Sequence, residues 1–283
     1  MSASKKTKPL KFVKAYNNYE FLNSPAARTI RVLTEMVEPK ERLRRNNIHN
    51  TVVFFGSART LPRAQARKQF KEIENKFKST KKPSTELKKT LEHAENQLHM
   101  SRYYEDASAL SAKLTRWFQH SKIKKENFVV CTGGGPGIME AANLGARKAN
   151  GQSIGLNINL PTEQNPNSYQ TEEISFEFHY FFIRKFWFFY LSKAMIVFPG
   201  GFGTFDELFE LLTIIQTEKT SKHMPIVLYG KEYWEEVINF NALARWGMIS
   251  QNDLSLFKIL DDVDEAFEYL QVELNKHYFN KKR

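Results

Sequence analysis

Short strand candidates alternate with longer stretches of helical periodicity along most of the chain. These candidates are mostly apolar runs, and they occupy residues 51–55, 128–132, 153–160, 174–178, 194–198, 225–229 and 256–260. Such runs are typical of buried parallel strands, and their alternation with helices predicts a parallel sheet that is covered on both faces. We therefore predict an α/β fold, a Rossmann-like doubly wound parallel sheet of about seven strands.

The N-terminal part of the chain stands apart from this alternation. Residues 1–23 are basic and weakly patterned, which predicts a flexible lead-in. Ser24-Pro25 is a favourable helix start, with a capping side chain followed by proline at the first helical position. We predict an N-terminal helix over 24–45, and a single nucleotide-binding domain over 24–283.

A second departure follows the first strand. Residues about 62–100 are rich in lysine and glutamate, with few apolar positions and a break at Pro83-Ser84. This pattern predicts an inserted, largely solvated helical hairpin. The apolar spacing becomes tighter over 103–118, which predicts a separate helix that packs on the sheet.

Glycine-rich turns follow three of the predicted strands. Carboxyl ends of parallel strands lie at one edge of a sheet, where ligands of doubly wound folds bind. Backbone N–H groups at the start of a helix have no partner within that helix and attract anions, above all phosphate. The three turns therefore predict one phosphate-binding crevice, with candidate residues Gly56, Ser57, Gly133, Gly134, Gly135, Gly200, Gly201, Gly203 and Thr204.

Several other chemistries are excluded by what these turns lack. Glu140 stands where a dinucleotide-binding fingerprint starting at Gly135 requires its third glycine, and no Walker lysine follows any of the turns. The histidines are scattered without metal-ligand spacing, and Cys131 has no histidine near it in sequence. We therefore expect no NAD, no hydrolysis of nucleoside triphosphates, no metal and no other cofactor.

Two charged groups lie close to the third turn in sequence. Glu207 either closes a capping box with Thr204 at a helix start or supplies a functional carboxylate, and its position alone does not decide between these. Arg184 and Lys185 interrupt the aromatic run FFIRKFWFFY. Cations amid so many aromatic side chains either have a partner or extend to the helix surface. We favour a functional role for Arg184 and Glu207.

The motif Arg184-Lys185 followed by Pro199-Gly200-Gly201-Phe202-Gly203-Thr204-Phe205-Asp206-Glu207 resembles the signature of the LOG family. The spacing from Arg184 to Glu207, 207 − 184 = 23 residues, also fits that pattern, and the resemblance extends from about 51 to 270. Many relatives carry the label "possible lysine decarboxylase". Pyridoxal chemistry needs a lysine for its Schiff base, and the motif accounts for Lys185 in another way.

The resemblance implies a phosphoribohydrolase, an enzyme similar to AMP nucleosidase. It would cleave the N-glycosidic bond of an adenine or cytokinin-type nucleoside 5′-monophosphate to free base and ribose 5-phosphate. It implies Glu207 and Arg184 as catalytic residues, with Lys185 and Glu163 contributing to substrate binding. A carboxylate is suited to this reaction, because the ribose becomes positively charged as the bond breaks. The alternative is a non-catalytic carrier of a nucleotide or nucleotide-like cofactor, which would not need this pair of charges.

The net charge of +11 raises the question of nucleic-acid binding. The lysines are concentrated in the N-terminal tail, in 63–89 and at the C-terminal end, outside the predicted crevice. No helix-turn-helix or aromatic RNA-binding signature accompanies them. We expect a solvated basic surface with at most weak, non-specific binding of polyanions.

Compartment and assembly follow from two further patterns. A single cysteine fits a reducing compartment, and no uncharged apolar run is long enough to span a bilayer, so we predict a cytoplasmic protein. The aromatic helix expected over 179–192 is apolar nearly all round. We predict that it lies at a homodimer interface, or alternatively that helix 24–45 of the same chain covers it.

Overall fold

A computed structural model describes residues 12–120, 127–159 and 166–279. Its centre is one seven-stranded, fully parallel sheet with strand order β4-β3-β2-β1-β5-β6-β7. The predicted fold class is confirmed. The strands are β1 (Asn50–Phe55), β2 (Phe128–Thr132), β3 (Ser153–Ile158), β4 (Ser175–Phe178), β5 (Ser192–Val197), β6 (Ile226–Tyr229) and β7 (Lys258–Leu260).

Helices cover both faces of this sheet. They are α1 (Tyr19–Asn23), α2 (Arg28–Arg45), α3 (Arg63–Ser79), α4 (Thr85–Phe118), α5 (Ile138–Lys148), α6 (Phe181–Tyr190), α7 (Phe202–Gln216), α8 (Lys231–Val237), α9 (Phe240–Arg245) and α10 (Val263–Leu274). Successive residues of β1 belong to two separate cores: Val53 and Phe55 pack with α6 and α7, and Val52 and Phe54 pack with α4, α5 and α10. A strand that is buried on both faces favours apolar residues at successive positions, which is why residues 52–55 of β1 show no polar alternation.

The order of the strands determines where a ligand can bind. The chain runs outward from β1 through β2 and β3 to β4, and then returns to the other side of β1 with β5. The helices that follow β1 and β5 therefore leave the sheet in different directions, and a crevice opens at the carboxyl ends of these two strands.

The inserted region differs from the prediction in its second arm. The break at Pro83-Ser84 is present, since α3 ends at Ser79 and the Ser84 hydroxyl accepts the N–H of Leu87 at the start of α4. However, α4 continues for 34 residues to Phe118, so the predicted hairpin arm and the predicted helix 103–118 are one element. Nothing in the sequence around residue 100 breaks a helix. The change of pattern there marks the passage of α4 from solvent onto the sheet.

The N-terminal helix begins later than Ser24-Pro25 predicts. Pro25–Ala27 form a 3₁₀ turn, α2 starts at Arg28, and α1 lies inside the segment predicted as the lead-in. The Arg31 guanidinium stabilises this turn by donating to the carbonyl oxygens of Leu22 at 2.6 Å and Ser24 at 2.7 Å. Among the described residues, no helix is long and apolar enough to cross a membrane.

Contacts between α2 and α6 position the aromatic helix. The Glu35 carboxylate of α2 accepts the backbone N–H of His179 at 2.8 Å and that of Tyr180 at 3.3 Å, just before α6 begins. The Trp187 indole N–H donates to the Glu35 carbonyl oxygen at 2.9 Å. Thus α2 covers part of α6, as the intrachain alternative expects. Other aromatic side chains of α6 remain exposed, namely Phe181, Phe182, Phe186 and Tyr190.

Candidate functional site

The three glycine-rich turns lie side by side and are joined by backbone hydrogen bonds. The Ser57 N–H donates to the Pro199 carbonyl oxygen at 2.9 Å, which joins the first turn to the third. The Ile138 N–H donates to the Ser57 carbonyl oxygen at 3.0 Å, which joins the second turn to the first. These contacts follow from the strand order, because β1 lies between β2 and β5.

A cavity of about 660 Å³ opens between these turns. Ten of the predicted site residues line it: Gly56, Ser57, Gly133, Gly135, Arg184, Gly200, Gly201, Gly203, Thr204 and Glu207. Gly134 and Lys185 lie outside its lining, and Glu163 lies outside the described residues. The turns therefore form one crevice, as their positions after the strands predict.

The third turn enters its helix earlier than the sequence suggests. Gly201 is the N-cap of α7, and its carbonyl oxygen accepts the N–H groups of Thr204 at 2.9 Å and Phe205 at 3.1 Å. Thr204 is thus the third helical residue, and the capping box from Thr204 to Glu207, which the sequence left open as an alternative, does not form. The N–H groups of Phe202 and Gly203, at the first two helical positions, remain available to a ligand in the cavity.

Thr204 has a packing role in the same turn. A Cβ built on Gly200 would lie 2.1 Å from the Thr204 hydroxyl oxygen, so the side chain of Thr204 occupies the space that only glycine leaves free. The Tyr233 hydroxyl holds the turn from the other side, where it donates to the Gly200 carbonyl oxygen. This contact rigidifies the backbone that bears the free N–H groups.

Glu207 is a buried carboxyl group on the cavity wall. The residue is only 6% exposed, and its Oε2 has no hydrogen-bond partner among the described residues. Burial raises the pKa of Glu207 to about 7, even though Lys185 and Arg184 act in the opposite direction. The group is therefore divided between its acidic and ionised forms near neutral pH, as a general acid or base needs to be.

Lys185 lies behind this carboxyl group. Its ammonium contacts Asp206 Oδ2 at 2.7 Å, Glu210 Oε2 at 2.8 Å and Glu207 Oε2 at 3.6 Å. Burial alone would lower the pKa of Lys185, but the bonds to Asp206 and Glu210 raise it overall. Lys185 is thus a permanent cation that serves three carboxylates of α7, and it does not reach the cavity as a substrate-binding residue.

Arg184 extends into the crevice from α6. Its Nε donates to the Leu156 carbonyl oxygen at 2.7 Å, one of its terminal nitrogens donates to the Gly133 carbonyl oxygen at 3.4 Å, and its guanidinium lies over the Phe188 ring at 5.1 Å. Burial lowers the pKa of Arg184, while attraction to Glu207 opposes this shift. Among the described residues, no ion pair joins Arg184 to Glu207. The cation nearest to Glu207 is Lys185. Any positioning of Glu207 by Arg184 is therefore indirect.

A buried amide network supports the second turn, and the sequence did not reveal it. Asn167 Nδ2 donates to the carbonyl oxygens of Gly134 and Gly135, both at 2.9 Å, and Gln170 Nε2 donates to the Gly134 carbonyl oxygen at 2.8 Å. Asn157 bonds to Gln170 and lines the cavity. Gly134 has φ +74°, and a Cβ there would lie 1.9 Å from Asn157 Oδ1. The available signal was a lone asparagine within the apolar strand β3.

Other cavity residues also escaped the sequence analysis. Tyr233 lies shortly after the carboxyl end of β6, at the same edge of the sheet as the three turns. The predicted strand order could therefore have identified it as a cavity residue. Phe202 is 93% exposed beside the cavity, and Phe181 and Arg59 lie at its border. Cys131 is buried, and burial raises the pKa of its thiol.

Comparison with known proteins agrees with the resemblance seen in the sequence. The model of the family described as "Possible lysine decarboxylase" matches residues 139–270, so the predicted resemblance is confirmed. The match includes Arg184, the third turn and Glu207. No curated protein matches the chain.

Solved structures match the chain at low sequence identity and low TM-score. The X-ray structure of TM1055 is 18% identical, with 79% of this chain and 99% of that chain covered and a TM-score of 0.42. The molybdenum cofactor carrier protein from Chlamydomonas reinhardtii is 16% identical, with 80% and 98% covered and a TM-score of 0.42. The molybdenum cofactor binding protein from Rippkaea orientalis is 22% identical, with 59% and 87% covered and a TM-score of 0.40.

Proposed function

We propose that this protein hydrolyses the N-glycosidic bond of a purine nucleoside 5′-monophosphate, releasing free base and ribose 5-phosphate. The base would be adenine or an N6-substituted, cytokinin-type adenine. One observation carries the proposal: the buried Glu207 carboxyl group lines a cavity that also holds a free helix N-terminus.

The third turn is suited to the 5′-phosphate. The N–H groups of Phe202 and Gly203 and the positive end of the α7 dipole favour a bound anion. A phosphate held there fixes the attached ribose against the cavity wall, which reduces the entropic part of the barrier. Gly200, Gly201 and Thr204 would shape this anchor. The turns at Gly56-Ser57 and Gly133–Gly135 would form the walls for the ribose and base.

Glu207 would act on the ribose side of the bond. As the base departs, positive charge develops on the ribose ring, and an ionised carboxylate stabilises it. The same carboxylate accepts a proton from the attacking water, whose oxygen forms the new bond to the anomeric carbon. The electron pair of the broken bond leaves with the base, which takes up a proton from solvent. A pKa of about 7 leaves enough of Glu207 ionised for this role at neutral pH.

The other predicted residues take supporting roles in the proposal. Arg184 would contact the ribose or base from the cavity wall. Lys185 would orient Glu207 and lower its proton affinity, acting through the protein and not on the substrate. Glu163 would contact the base, as the resemblance implies. The decarboxylase description gains no support, because the Lys185 ammonium is bound to carboxylates and does not line the cavity.

The direct experiment is incubation of the protein with AMP, GMP, CMP and UMP, followed by chromatography for free base. We expect adenine from AMP, and at least a 100-fold slower release by Glu207→Gln, the scale of general-base and electrostatic catalysis. AMP affinity should change little in this variant, since backbone N–H groups would hold the phosphate.

The alternative function, a non-catalytic carrier of a nucleotide or nucleotide-like cofactor, predicts a different outcome from the same experiment. A parent protein that binds AMP but releases no base from any monophosphate would favour the carrier. Turnover by Glu207→Gln at the parent rate would instead contradict the role of Glu207.

Assembly and location complete the proposal. The exposed aromatic side chains of α6 suit a second copy of the chain, so we propose a homodimer. The cytoplasm is proposed as the site of action because the single, buried cysteine suits a reducing compartment. Nucleic acid would bind weakly at most, through the exposed basic surface of α3.

A further inference from the structure

Two histidines and one glutamate meet far from the crevice, at the C-terminal end of α10. His223 precedes β6, Glu273 lies near the end of α10, and His277 lies in the π-helical turn Asn275–Phe279 that follows it. One potential ligand atom from each lies within 4.8 Å of the other two. Sequence spacing does not indicate this cluster, because His223 is separated from Glu273 by 50 residues.

The ring nitrogens converge on one carboxylate oxygen. Nε2 of His223 lies 2.5 Å and Nε2 of His277 lies 3.9 Å from Oε2 of Glu273. Zinc-to-ligand distances of about 2.0–2.1 Å in a tetrahedral site place neighbouring donor atoms about 3.3 Å apart. The two observed separations lie on either side of that value. Binding of all three donors to one ion would require small side-chain movements and the rotation of one imidazole ring out of the stacked arrangement.

The two imidazole rings are also in contact with each other. Their centroids are 3.6 Å apart, and their planes differ by 19°, so they are stacked. The imidazole nitrogen of histidine is one of the donors that zinc sites in proteins use.

The backbone around the cluster is fixed as well. The Tyr278 hydroxyl donates to the His223 carbonyl oxygen, which fastens the segment before β6 to the π-helical turn. Turns of this kind occur frequently at functional sites. Glu273 and His277 are partly buried and His223 is exposed, so solvent can supply any remaining ligand.

From this arrangement we propose that His223, Glu273 and His277 form a binding site for a late first-row divalent metal ion of the Zn²⁺ type. Two imidazole nitrogens and one carboxylate oxygen suit Zn²⁺, and imidazole disfavours Mg²⁺ and Ca²⁺. The bound ion would join the end of α10 to the segment before β6, so it would stabilise the fold and leave the crevice unchanged.

The test is a Zn²⁺ titration of the full chain without an affinity tag, after dialysis against a chelator at pH 7.5. Calorimetry should give one Zn²⁺ per chain. The melting temperature should rise by about 5 °C at a Zn²⁺ concentration of about 100 times Kd. An equal concentration of Mg²⁺ should produce no such rise. Co²⁺ should give the visible absorption of a low-symmetry nitrogen-oxygen site.

Variants separate this site from ordinary surface binding. His223→Gln keeps a hydrogen-bond donor for Glu273 but should weaken Zn²⁺ binding at least tenfold. His99→Gln is the matched control, because His99 also pairs with a glutamate, Glu232 at 3.2 Å, but has no second histidine in the cluster. This control should bind Zn²⁺ as the parent does.

Three calorimetric results would overturn the proposal. The first is a parent chain that shows no Zn²⁺ binding, and the second is an equal affinity of His223→Gln and the parent for Zn²⁺. The third is a loss of Zn²⁺ affinity in His99→Gln as large as that in His223→Gln. The Co²⁺ spectrum of the parent is an independent measurement that requires no variant to fold, and its absence would also contradict the proposal.

Discussion

Replacing Glu207 by glutamine should stabilise the protein at alkaline pH, and the buried position of this carboxyl group determines by how much. The pKa of Glu207 is raised from the 4.5 of an unperturbed glutamate to about 7, chiefly by burial. The folded protein therefore holds this proton more tightly than the unfolded chain does. The free energy of unfolding must therefore fall as pH rises from about 4.5 to about 7. Above that range Glu207 causes no further decrease.

The magnitude follows from the size of the shift. A difference of about 2.5 pKa units at about 1.36 kcal/mol each corresponds to about 3 kcal/mol of unfolding free energy. Glutamine resembles the protonated form and cannot ionise. Glu207→Gln should therefore match the parent at pH 4.5 and exceed its free energy of unfolding by about 3 kcal/mol at pH 8.

Urea unfolding at pH 4.5, 6, 7 and 8, followed by circular dichroism, measures this difference directly. Glu210→Gln is the matched control on the same helix, because it makes the same change at a carboxylate that also contacts Lys185 but is more exposed. We expect the control to change the free energy of unfolding by less than about 1 kcal/mol at every pH. A Glu207→Gln protein that is less stable than the parent at pH 8 would refute the conclusion that burial dominates at this site.

Three further perturbations test other parts of the structure. Lys185→Met removes the nearest cation from Glu207, so the apparent pKa on the acid side of the kcat/KM profile should rise from about 7 by at least about one unit. An unchanged apparent pKa would exclude the positioning role of Lys185. Gly134→Ala should lower the free energy of unfolding by about 2 kcal/mol or more, because φ at Gly134 is +74° and the added Cβ would clash with Asn157. Gly203→Ala has open space around the added Cβ and should fold normally. Equal free energies of unfolding in the two variants would contradict this difference. Phe182 is 60% exposed on α6, so Phe182→Glu should convert a dimeric parent into a monomer. Sedimentation at micromolar protein concentration measures this change, and a monomeric parent would contradict the proposed assembly.

The sheet and its turns were accessible from sequence because local pattern determines them. Strand β2 begins and ends where the apolar run does, and the glycines of the three turns mark the carboxyl ends of their strands. The start of α7 was predicted two residues too late. Threonine and glycine are about equally favoured at the N-cap, so propensity does not separate Thr204 from Gly201. The packing of Thr204 against Gly200 places Thr204 inside the helix.

Contacts between distant segments were not accessible in the same way. Nothing local to Lys185 indicates that its ammonium reaches carboxylates on α7, because that depends on how α6 and α7 pack over β1 and β5. The amide network beneath Gly134 likewise joins β3 to residues that follow it by more than ten positions. Sequence periodicity predicts which face of an element is buried, but not which polar group it meets there.

The crevice concentrates features that the fold itself does not require. A carboxyl group whose ionisation opposes folding, a partly buried guanidinium and two helix N–H groups without intrahelical acceptors all lie on one cavity wall. Apolar residues of similar size at Glu207 and Arg184 would pack as well and would avoid the desolvation cost of both charges. The two charges therefore support our proposal of a ligand that has an anionic end and develops positive charge during reaction. A nucleoside monophosphate that loses its base at the ribose carbon meets both requirements.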